Sequence, residues 1–245
     1  MTTAIVLAGG LGTRLRQAVP DLPKPLAPVA GRPFLAWLLD RWAGQGVERF
    51  VLSVGYRADA IRAAIGASHA GVPIDYVVET EPLGTGGALL RAAAGLAPDE
   101  RFLLLNGDTW FDVPLAELAA CAERHDADWC LSLFRTDDVV RYMGPRLAPD
   151  GRLLALTDPD APAPRWANGG VYLVHPRSLQ PMTPGAAGPV SLESELMPRW
   201  LAQGARFAGY PSTAAFIDIG VPQDWRRAAA VIAPDRVVVE PVDHA

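Results

Sequence analysis

The chain has 245 residues, half of them hydrophobic, and a formal net charge of −5. This composition predicts one large globular domain, and the lack of a basic block excludes nucleic acid as its main partner. No apolar run approaches the roughly 18 residues of a membrane-spanning helix, and no signal peptide is evident, so we expect a cytoplasmic protein with no membrane partner. Cys121 and Cys130 lie in apolar surroundings, and we expect them to be reduced residues of the core.

The first half of the chain alternates predicted strands and helices. Short apolar runs predict strands over 4–8, 50–54, 74–78, 102–105 and 129–134. Helical spacing or an Ala/Leu-rich composition predicts helices over 34–43, 58–65, 86–96 and 115–123. Pro114 is suited to the first turn of the last helix. This order predicts an α/β fold with a doubly wound, Rossmann-like, mixed but mainly parallel sheet flanked by helices.

The second half is less regular. Residues 143–168 are rich in Pro, Asp and Arg, which predicts loops around short strands. The remaining predicted elements are strands over 170–174 and 214–219 and helices over 192–202 and 224–231. The sequence after Pro234 carries no clear signal. Because no repeat or long linker divides the chain, we expect a single domain over 1–245.

A glycine-rich loop follows the first predicted strand. Gly9, Gly10 and Gly12 let the backbone approach a ligand closely and expose its N–H groups, while Arg14 adds positive charge. In such sheets, ligands bind beyond the carboxyl ends of the strands, so the loop predicts a polyphosphate site. Glycines here can equally serve only to turn the chain. The P-loop pattern is absent, and Leu15 stands where a dinucleotide fingerprint needs its third glycine.

Lys24 is the chain's only lysine, whereas the other basic side chains are arginines. It stands between Pro23 and Pro25, shortly after the glycine loop. A compact ammonium on a restricted backbone is suited to act as a placed point charge, which a planar guanidinium does not replace.

Two aspartates are candidate metal ligands. Asp108 follows a buried strand in the string Asn106-Gly107-Asp108, where a carboxylate facing a phosphate site is typical of magnesium binding. Asn-Gly-Asp is also a common turn, in which Asp108 would only cap the backbone. Asp218 lies in an apolar strand with no basic residue within five positions, so we expect a metal ion to offset the cost of burying its charge.

Two further segments carry polar groups beside glycines. The backbone of residues 81–87 can hydrogen-bond a nucleobase edge, and the alternative interpretation is the first turn of a helix capped by Thr85. Asn168, which precedes two glycines, and Glu193 are candidate ligand contacts, although the first also suits a plain turn and the second a plain helix start.

Together these strings resemble the sugar-1-phosphate nucleotidyltransferases, the enzymes that make nucleotide-activated sugars. The resemblance extends over nearly the whole chain and includes segments 9–15, 23–25, 81–87, 106–108, 168–172 and 216–225. The resemblance implies the nucleotidyltransferase fold, a nucleoside triphosphate and a sugar 1-phosphate as substrates, and Mg²⁺ held by Asp108 and Asp218. It further implies that 1–135 mainly bind the nucleotide, that 136–233 mainly bind the sugar, and that 234–245 form a tail. A homo-oligomeric assembly is left open.

The resemblance also implies residue roles. The catalytic residues would be Arg14, Lys24 and Asp108. The nucleotide contacts would be Leu7, Ala8, Gly9, Gly10, Gly12, Thr13, Arg14, Lys24, Glu81, Pro82, Leu83, Gly84, Thr85 and Gly107. The sugar contacts would be Asn106, Gly86, Asn168, Gly169 and Glu193.

Within the family, the strings over 32–35, 106–112 and 217–222 are most similar to a branch that transfers GMP to a heptose 1-phosphate for cell-surface glycan synthesis. GTP is therefore the expected donor, and a thymidylyl- or uridylyltransferase acting on glucose 1-phosphate or an amino-sugar 1-phosphate is the alternative. The chain departs from the family at 156–159, where many relatives carry a Glu-Lys-Pro whose lysine meets the sugar phosphate. Arg165 or Arg146 would have to replace that lysine.

Two alternatives belong to other functional classes. A non-catalytic sugar-nucleotide sensor or regulatory subunit would share the fold, but the presence of Arg14, Lys24, Asp108 and Asp218 argues against it. A dehydrogenase is disfavoured by Leu15 and the Pro-Lys-Pro segment.

Overall fold

The computed structural model describes residues 2–142, 144–179 and 188–236. Within these residues the α-helices are α1 (Phe34–Ala43), α2 (Ala58–Ile65), α3 (Gly84–Ala93), α4 (Leu115–Arg124), α5 (Met197–Ala202) and α6 (Pro222–Ile232). The strands are β1 (Thr3–Leu7), β2 (Pro28–Val29), β3 (Arg32–Pro33), β4 (Arg49–Val54), β5 (Ser68–His69), β6 (Val72–Val78), β7 (Phe102–Asn106), β8 (Thr109–Phe111), β9 (Trp129–Thr136), β10 (Arg146–Leu147), β11 (Leu153–Ala155), β12 (Arg165–Val174), β13 (Phe207–Pro211) and β14 (Phe216–Asp218). Most of the predicted tail lies outside the described residues.

Eight of these strands form one sheet in the order β13-β9-β12-β7-β1-β4-β6-β5. β1 is parallel to β4 and β7, β4 to β6, and β9 to β13. β12 is antiparallel to β7 and β9, and β5 to β6. The predicted mixed, mainly parallel sheet flanked by helices is therefore confirmed. In the described part of the chain, no helix has the length and apolar character needed to cross a membrane.

The sheet is covered by hydrophobic layers on both faces. Successive side chains of β1 point to opposite faces, so Ala4 and Val6 belong to one core and Ile5 to the other. Trp42 of α1 is fully buried in the first core, and Trp200 of α5 stacks on Trp129 in the second. Burial on both sides explains why the central strands are continuous apolar runs.

Several boundaries differ from the predicted ones. The helix predicted over 192–202 is divided into a π-helical turn, Leu192–Leu196, and α5. α3 begins at Gly84, two residues before its predicted start, because its first turn is held by the neighbouring segment: the Gly86 N–H donates to the Val190 carbonyl at 2.9 Å. β13 was not predicted, since Gly209 and Pro211 are atypical of strands; it lies at the edge of the sheet, where proline is tolerated.

A nearly buried carboxylate ties the start of β9 to the segments before β13 and after β12. The side chain of Asp128 is 10% exposed and accepts hydrogen bonds from the Arg206 backbone N–H at 2.8 Å and from Arg177 Nε at 2.6 Å. Burial raises the pKa of Asp128, but these hydrogen bonds and the two guanidinium charges outweigh it and hold the pKa below its ordinary value. Folding is therefore favoured by the ionised form.

We expect Asp128→Asn to lower the free energy of unfolding at pH 7 by about 2 kcal/mol, because charge-assisted hydrogen bonds are lost at a partly buried site. A lowered folded-state pKa stabilises the fold above the unfolded value and is lost as the pH falls through the folded value, so wild type and variant should converge in acid. Asp150→Asn, which breaks the exposed pair with Arg152, is the control and should change little. Urea unfolding between pH 7 and pH 3 measures the free energy of unfolding of both variants. If Asp128→Asn and Asp150→Asn lowered it equally at pH 7, the stabilising role of Asp128 would be contradicted.

Candidate active site

A cavity of about 500 Å³ opens at the carboxyl ends of β1, β4 and β7. Its wall contains many of the residues predicted to bind a ligand, namely Leu7, Ala8, Gly9, Gly10, Lys24, Glu81, Pro82, Gly84, Thr85, Asn106, Gly107 and Asp108. It also contains residues that were not predicted: Leu11, Pro25, Gly55, Tyr56, Glu79, Thr80, Ala88 and Pro189. The site is therefore formed where the sheet topology places the ends of neighbouring parallel strands.

Pairing of β1 with β7 brings the glycine loop beside Asp108. The register places Leu7 opposite Asn106, and the Gly107 N–H donates to the Leu7 carbonyl at 2.9 Å. Gly12 has φ +58°, and a Cβ there would lie 2.9 Å from Lys24 Cβ. This position therefore requires glycine, both for its backbone conformation and for the close passage of the lysine stem.

Lys24 lies between the two aspartates that were predicted to share a cation. Its side chain is only 12% exposed, and its ammonium forms an ion pair with Asp108. Lys24 Nζ also lies 3.8 Å from Asp218 Oδ1, which accepts a hydrogen bond from the Gly220 N–H at 2.6 Å. Asp218 comes close because β14 pairs antiparallel with β8, opposite Thr109. One ammonium thus compensates two carboxylates in a partly buried cluster.

The expectation that Asp218 lacks a charged partner is wrong. Arg141 Nη2 donates to Asp218 Oδ2 at 2.9 Å, on the opposite side from Lys24. Both cations are distant from Asp218 in sequence, so a search of its neighbours could not find them. The free-energy cost of burying this carboxylate is offset by protein side chains, so its burial is no longer evidence for a metal ion.

The donor set nevertheless fits a divalent cation. Within the described ranges, no group of three or more His, Cys, Asp and Glu side chains forms a metal site. Asp108 and Asp218 each direct one carboxylate oxygen toward the Lys24 ammonium, so the two carboxylates converge on one region of the site. Mg²⁺ commonly binds through one or two protein carboxylates and completes its coordination with substrate phosphates and water.

A chain of side-chain hydrogen bonds joins the predicted sugar contacts beside the cavity. Asn168 Nδ2 donates to the Tyr172 hydroxyl at 2.8 Å, and that hydroxyl donates to Glu193 Oε1 at 3.4 Å. Burial raises the pKa of Tyr172 well above its ordinary value, and the negative charge of Glu193 raises it further. The hydroxyl therefore remains a neutral donor that orients both polar neighbours.

Thr85 extends this chain to the first turn of α3. Its Oγ1 donates to Glu193 Oε2 at 3.0 Å and accepts from the Leu192 N–H at 2.8 Å. Leu83, rather than Thr85, is the N-cap of α3, so the predicted capping role of Thr85 is wrong. Ser191 does cap the following turn, where its side chain accepts from the Ser194 N–H at 3.2 Å.

Several residues with predicted roles do not form the wall of the cavity. They are Gly12, Thr13, Arg14, Leu83, Gly86, Asn168, Gly169, Glu193 and Asp218. Arg14 precedes the turn Leu15–Gln17 and is exposed to solvent. Of the two arginines considered as substitutes for a second lysine, Arg165 donates to the Asp158 carbonyl at 3.3 Å, Arg146 is exposed, and neither lines the cavity. The roles of all these residues stay predictions.

Glu79 is the acidic residue of the cavity wall that the sequence interpretation missed. It directly follows β6, and its carboxylate accepts from Ser53 Oγ at 3.1 Å and from the Leu83 N–H at 3.3 Å. A Cβ at Gly9 would lie 2.3 Å from Glu79 Oε1, so glycine at that position leaves space for the carboxylate. Its place at the carboxyl end of a parallel strand is the signal that could have identified it.

Known proteins resemble the chain over most of its length. The model of the nucleotidyl transferase family matches residues 3–233. A D-glycero-alpha-D-manno-heptose 1-phosphate guanylyltransferase from Aneurinibacillus thermoaerophilus is 36% identical over 92% of this chain and 96% of that protein. A mannose-1-phosphate guanylyltransferase from Mycobacterium tuberculosis is 35% identical over 93% of this chain, which spans 63% of that protein. The crystal structure of HddC from Yersinia pseudotuberculosis complexed with GMP-PN has a TM-score of 0.79 and 31% identity, with coverage of 94% and 98%.

Proposed function

Since the chain belongs to the nucleotidyl transferase family, we propose that it transfers GMP from GTP to D-glycero-alpha-D-manno-heptose 1-phosphate and releases pyrophosphate. The observation that carries the proposal is the meeting of the glycine loop, Lys24 and Asp108 at one cavity. A phosphate-binding backbone, a placed cation and a carboxylate are the groups that phosphoryl transfer requires. The relatives with guanylyltransferase names support GTP as the donor and a mannose-configured sugar phosphate as the acceptor.

The reaction needs no nucleophile from the protein. An oxygen of the sugar 1-phosphate, already an anion, attacks the α-phosphorus of GTP, and the bond to the β-phosphate breaks to release pyrophosphate. The protein contributes positioning and charge neutralisation. Lys24 stabilises the charge that grows on the α-phosphoryl group, and Arg14 holds the departing pyrophosphate.

Asp108 and Asp218 are the residues that would hold Mg²⁺, which when bound neutralises phosphate charge at the reacting centre. Lys24 keeps the two carboxylates close to each other, because its ammonium lies between them. On the sugar side, Asn168 and Glu193 offer hydrogen-bonding groups oriented by the Tyr172 hydroxyl. These side chains suit recognition of sugar hydroxyls.

Pyrophosphate release tests the proposal. GTP, dTTP and UTP are each paired with the 1-phosphates of the heptose, mannose and glucose. GTP with the heptose phosphate is expected to give the highest kcat/KM, and a preference for mannose 1-phosphate would retain GTP while changing the acceptor. Faster turnover with dTTP or UTP would overturn the guanylyl assignment but not the family reaction. No release with any pair would favour a non-catalytic sensor.

We expect the Glu79 side chain to recognise guanine through hydrogen bonds. A carboxylate accepts two hydrogen bonds and so matches the N1–H and N2–H₂ donors of guanine, whereas Glu79→Gln places a donor against a donor. We expect this variant to lower kcat/KM for GTP by about 10- to 100-fold, the cost of leaving buried polar groups unpaired, with a smaller change for UTP. Competition between the triphosphates measures the change.

Glu81→Gln is the matched control, because Glu81 is a second carboxylate of the cavity wall, is exposed, and is among the nucleotide contacts predicted from the sequence. Its GTP preference should stay close to that of the wild type. If Glu81→Gln lost the preference for GTP and Glu79→Gln kept it, Glu81 rather than Glu79 would be the residue that recognises guanine.

A further inference from the structure

Arg141 forms a bridge behind the active centre. Its Nη2 donates to Asp218 Oδ2 at 2.9 Å, and its Nη1 forms an ion pair with Asp224. Asp224 lies in the first turn of α6, and its side chain is 12% exposed. The planar guanidinium therefore joins a carboxylate of the site to a nearly buried carboxylate of a helix, with one nitrogen for each.

The two oxygens of Asp218 have different partners. Oδ1 accepts from the Gly220 N–H and lies 3.8 Å from Lys24 Nζ, whereas Oδ2 is held by Arg141. The carboxylate is thus fixed at both ends, and only one oxygen faces the lysine. Because charge-assisted hydrogen bonds are directional, the guanidinium restricts rotation of the Asp218 side chain.

We propose that Arg141 is a positioning residue that fixes Asp218 so that Oδ1 faces Lys24 and the reacting phosphates. Arg141 does not line the cavity of the active centre, and its side chain contacts the site through Asp218. The proposal rests on the proposed function for its kinetic test. It assigns a role to the loop after β9, which carries no residue of the family signatures described above.

The loop is held independently of the Arg141 side chain. The Arg141 N–H donates to Asp138 Oδ1 at 2.9 Å, and the Tyr142 ring packs edge-on against Phe134 and Phe216 at 5.0 and 6.0 Å between centroids. We therefore expect Arg141→Ala to fold. The guanidinium also lines a second, solvent-open cavity of about 570 Å³, so truncation leaves a route by which a small cation can enter.

Chemical rescue of Arg141→Ala tests this role. We expect kcat to fall by about 10- to 100-fold with little change in the KM for GTP, since the lost contribution is orientation in the transition state. Millimolar guanidinium should restore part of kcat, whereas urea, of similar shape but without charge, should not. Arg227→Gln is the control: Arg227 also pairs with Asp224, at 3.3 Å, but is exposed and does not contact Asp218, so its kcat should match the wild type.

A crystal structure of Arg141→Ala separates this proposal from the proposed function. We expect the Asp218 carboxylate to rotate away from Lys24, whatever the reaction proves to be. Wild-type kcat in the folded variant, a loss that guanidinium does not rescue, or an unmoved Asp218 would each overturn the positioning role. If Arg141→Ala does not fold, Asp224→Asn releases the other end of the guanidinium; the same kinetic and structural loss in weaker form is then expected, and its absence would overturn the proposal.

Discussion

Lys24→Ala is expected to lower kcat by about 10²- to 10³-fold while changing the KM for either substrate far less, because its charge is needed most in the transition state. The substitution removes the ammonium between Asp108 and Asp218, leaving the two carboxylates without it. Steady-state pyrophosphate release with both substrates varied gives kcat and the two KM values. Circular dichroism checks that the variant is folded.

Lys24→Arg separates positive charge from geometry. The guanidinium keeps the charge but spreads it over a plane. The Lys24 side chain is only 12% exposed and passes close to the backbone of Gly12, so there is little space for the larger group. We expect this variant to be impaired as well, though less than the alanine variant. Normal turnover in both would remove Lys24 from the mechanism.

Asp108→Asn and Asp218→Asn are each expected to cut turnover by about 10²-fold or more and to raise the Mg²⁺ concentration needed for half-maximal activity, as when a charge-neutralising ion is misplaced. Mg²⁺ titration of pyrophosphate release measures both effects. Asp112→Asn is the matched control: Asp112 lies close in sequence but pairs with Arg41 at 2.6 Å and does not line the cavity. An unchanged magnesium response in both site variants would place the metal elsewhere.

Features carried by short stretches of sequence could be predicted. The apolar run of β1, the glycines after it and Asp108 after β7 each depend on a few adjacent residues, and strand order then brings them to one edge of the sheet. The same strings identified the family, which the match over residues 3–233 confirms. Helices α1 and α2 begin and end at the predicted residues because regular apolar spacing marks their buried faces.

Features that depend on distant residues could not be predicted. Asp218 acquires Lys24 and Arg141 only through the pairing of β14 with β8 and the placement of the loop after β9. Glu79 directly follows the predicted strand over 74–78, which marks it as a candidate, but its contacts with Ser53 and the Leu83 N–H, which distinguish it from the exposed Glu81, depend on the fold. The π-helical turn Leu192–Leu196 has no distinct local pattern, because its capping serine also suits an ordinary α-helix.

The hydrogen bond from Thr85 to Glu193 has a thermodynamic consequence. Thr85 is a predicted nucleotide contact in the first turn of α3, and Glu193 is a predicted sugar contact in the turn Leu192–Leu196. If one substrate changes the strength of this bond on binding, the affinity for the other substrate changes with it. Linkage requires that coupling to be reciprocal, so the factor by which the nucleotide alters the dissociation constant of the sugar phosphate must equal the factor for the reverse order of addition.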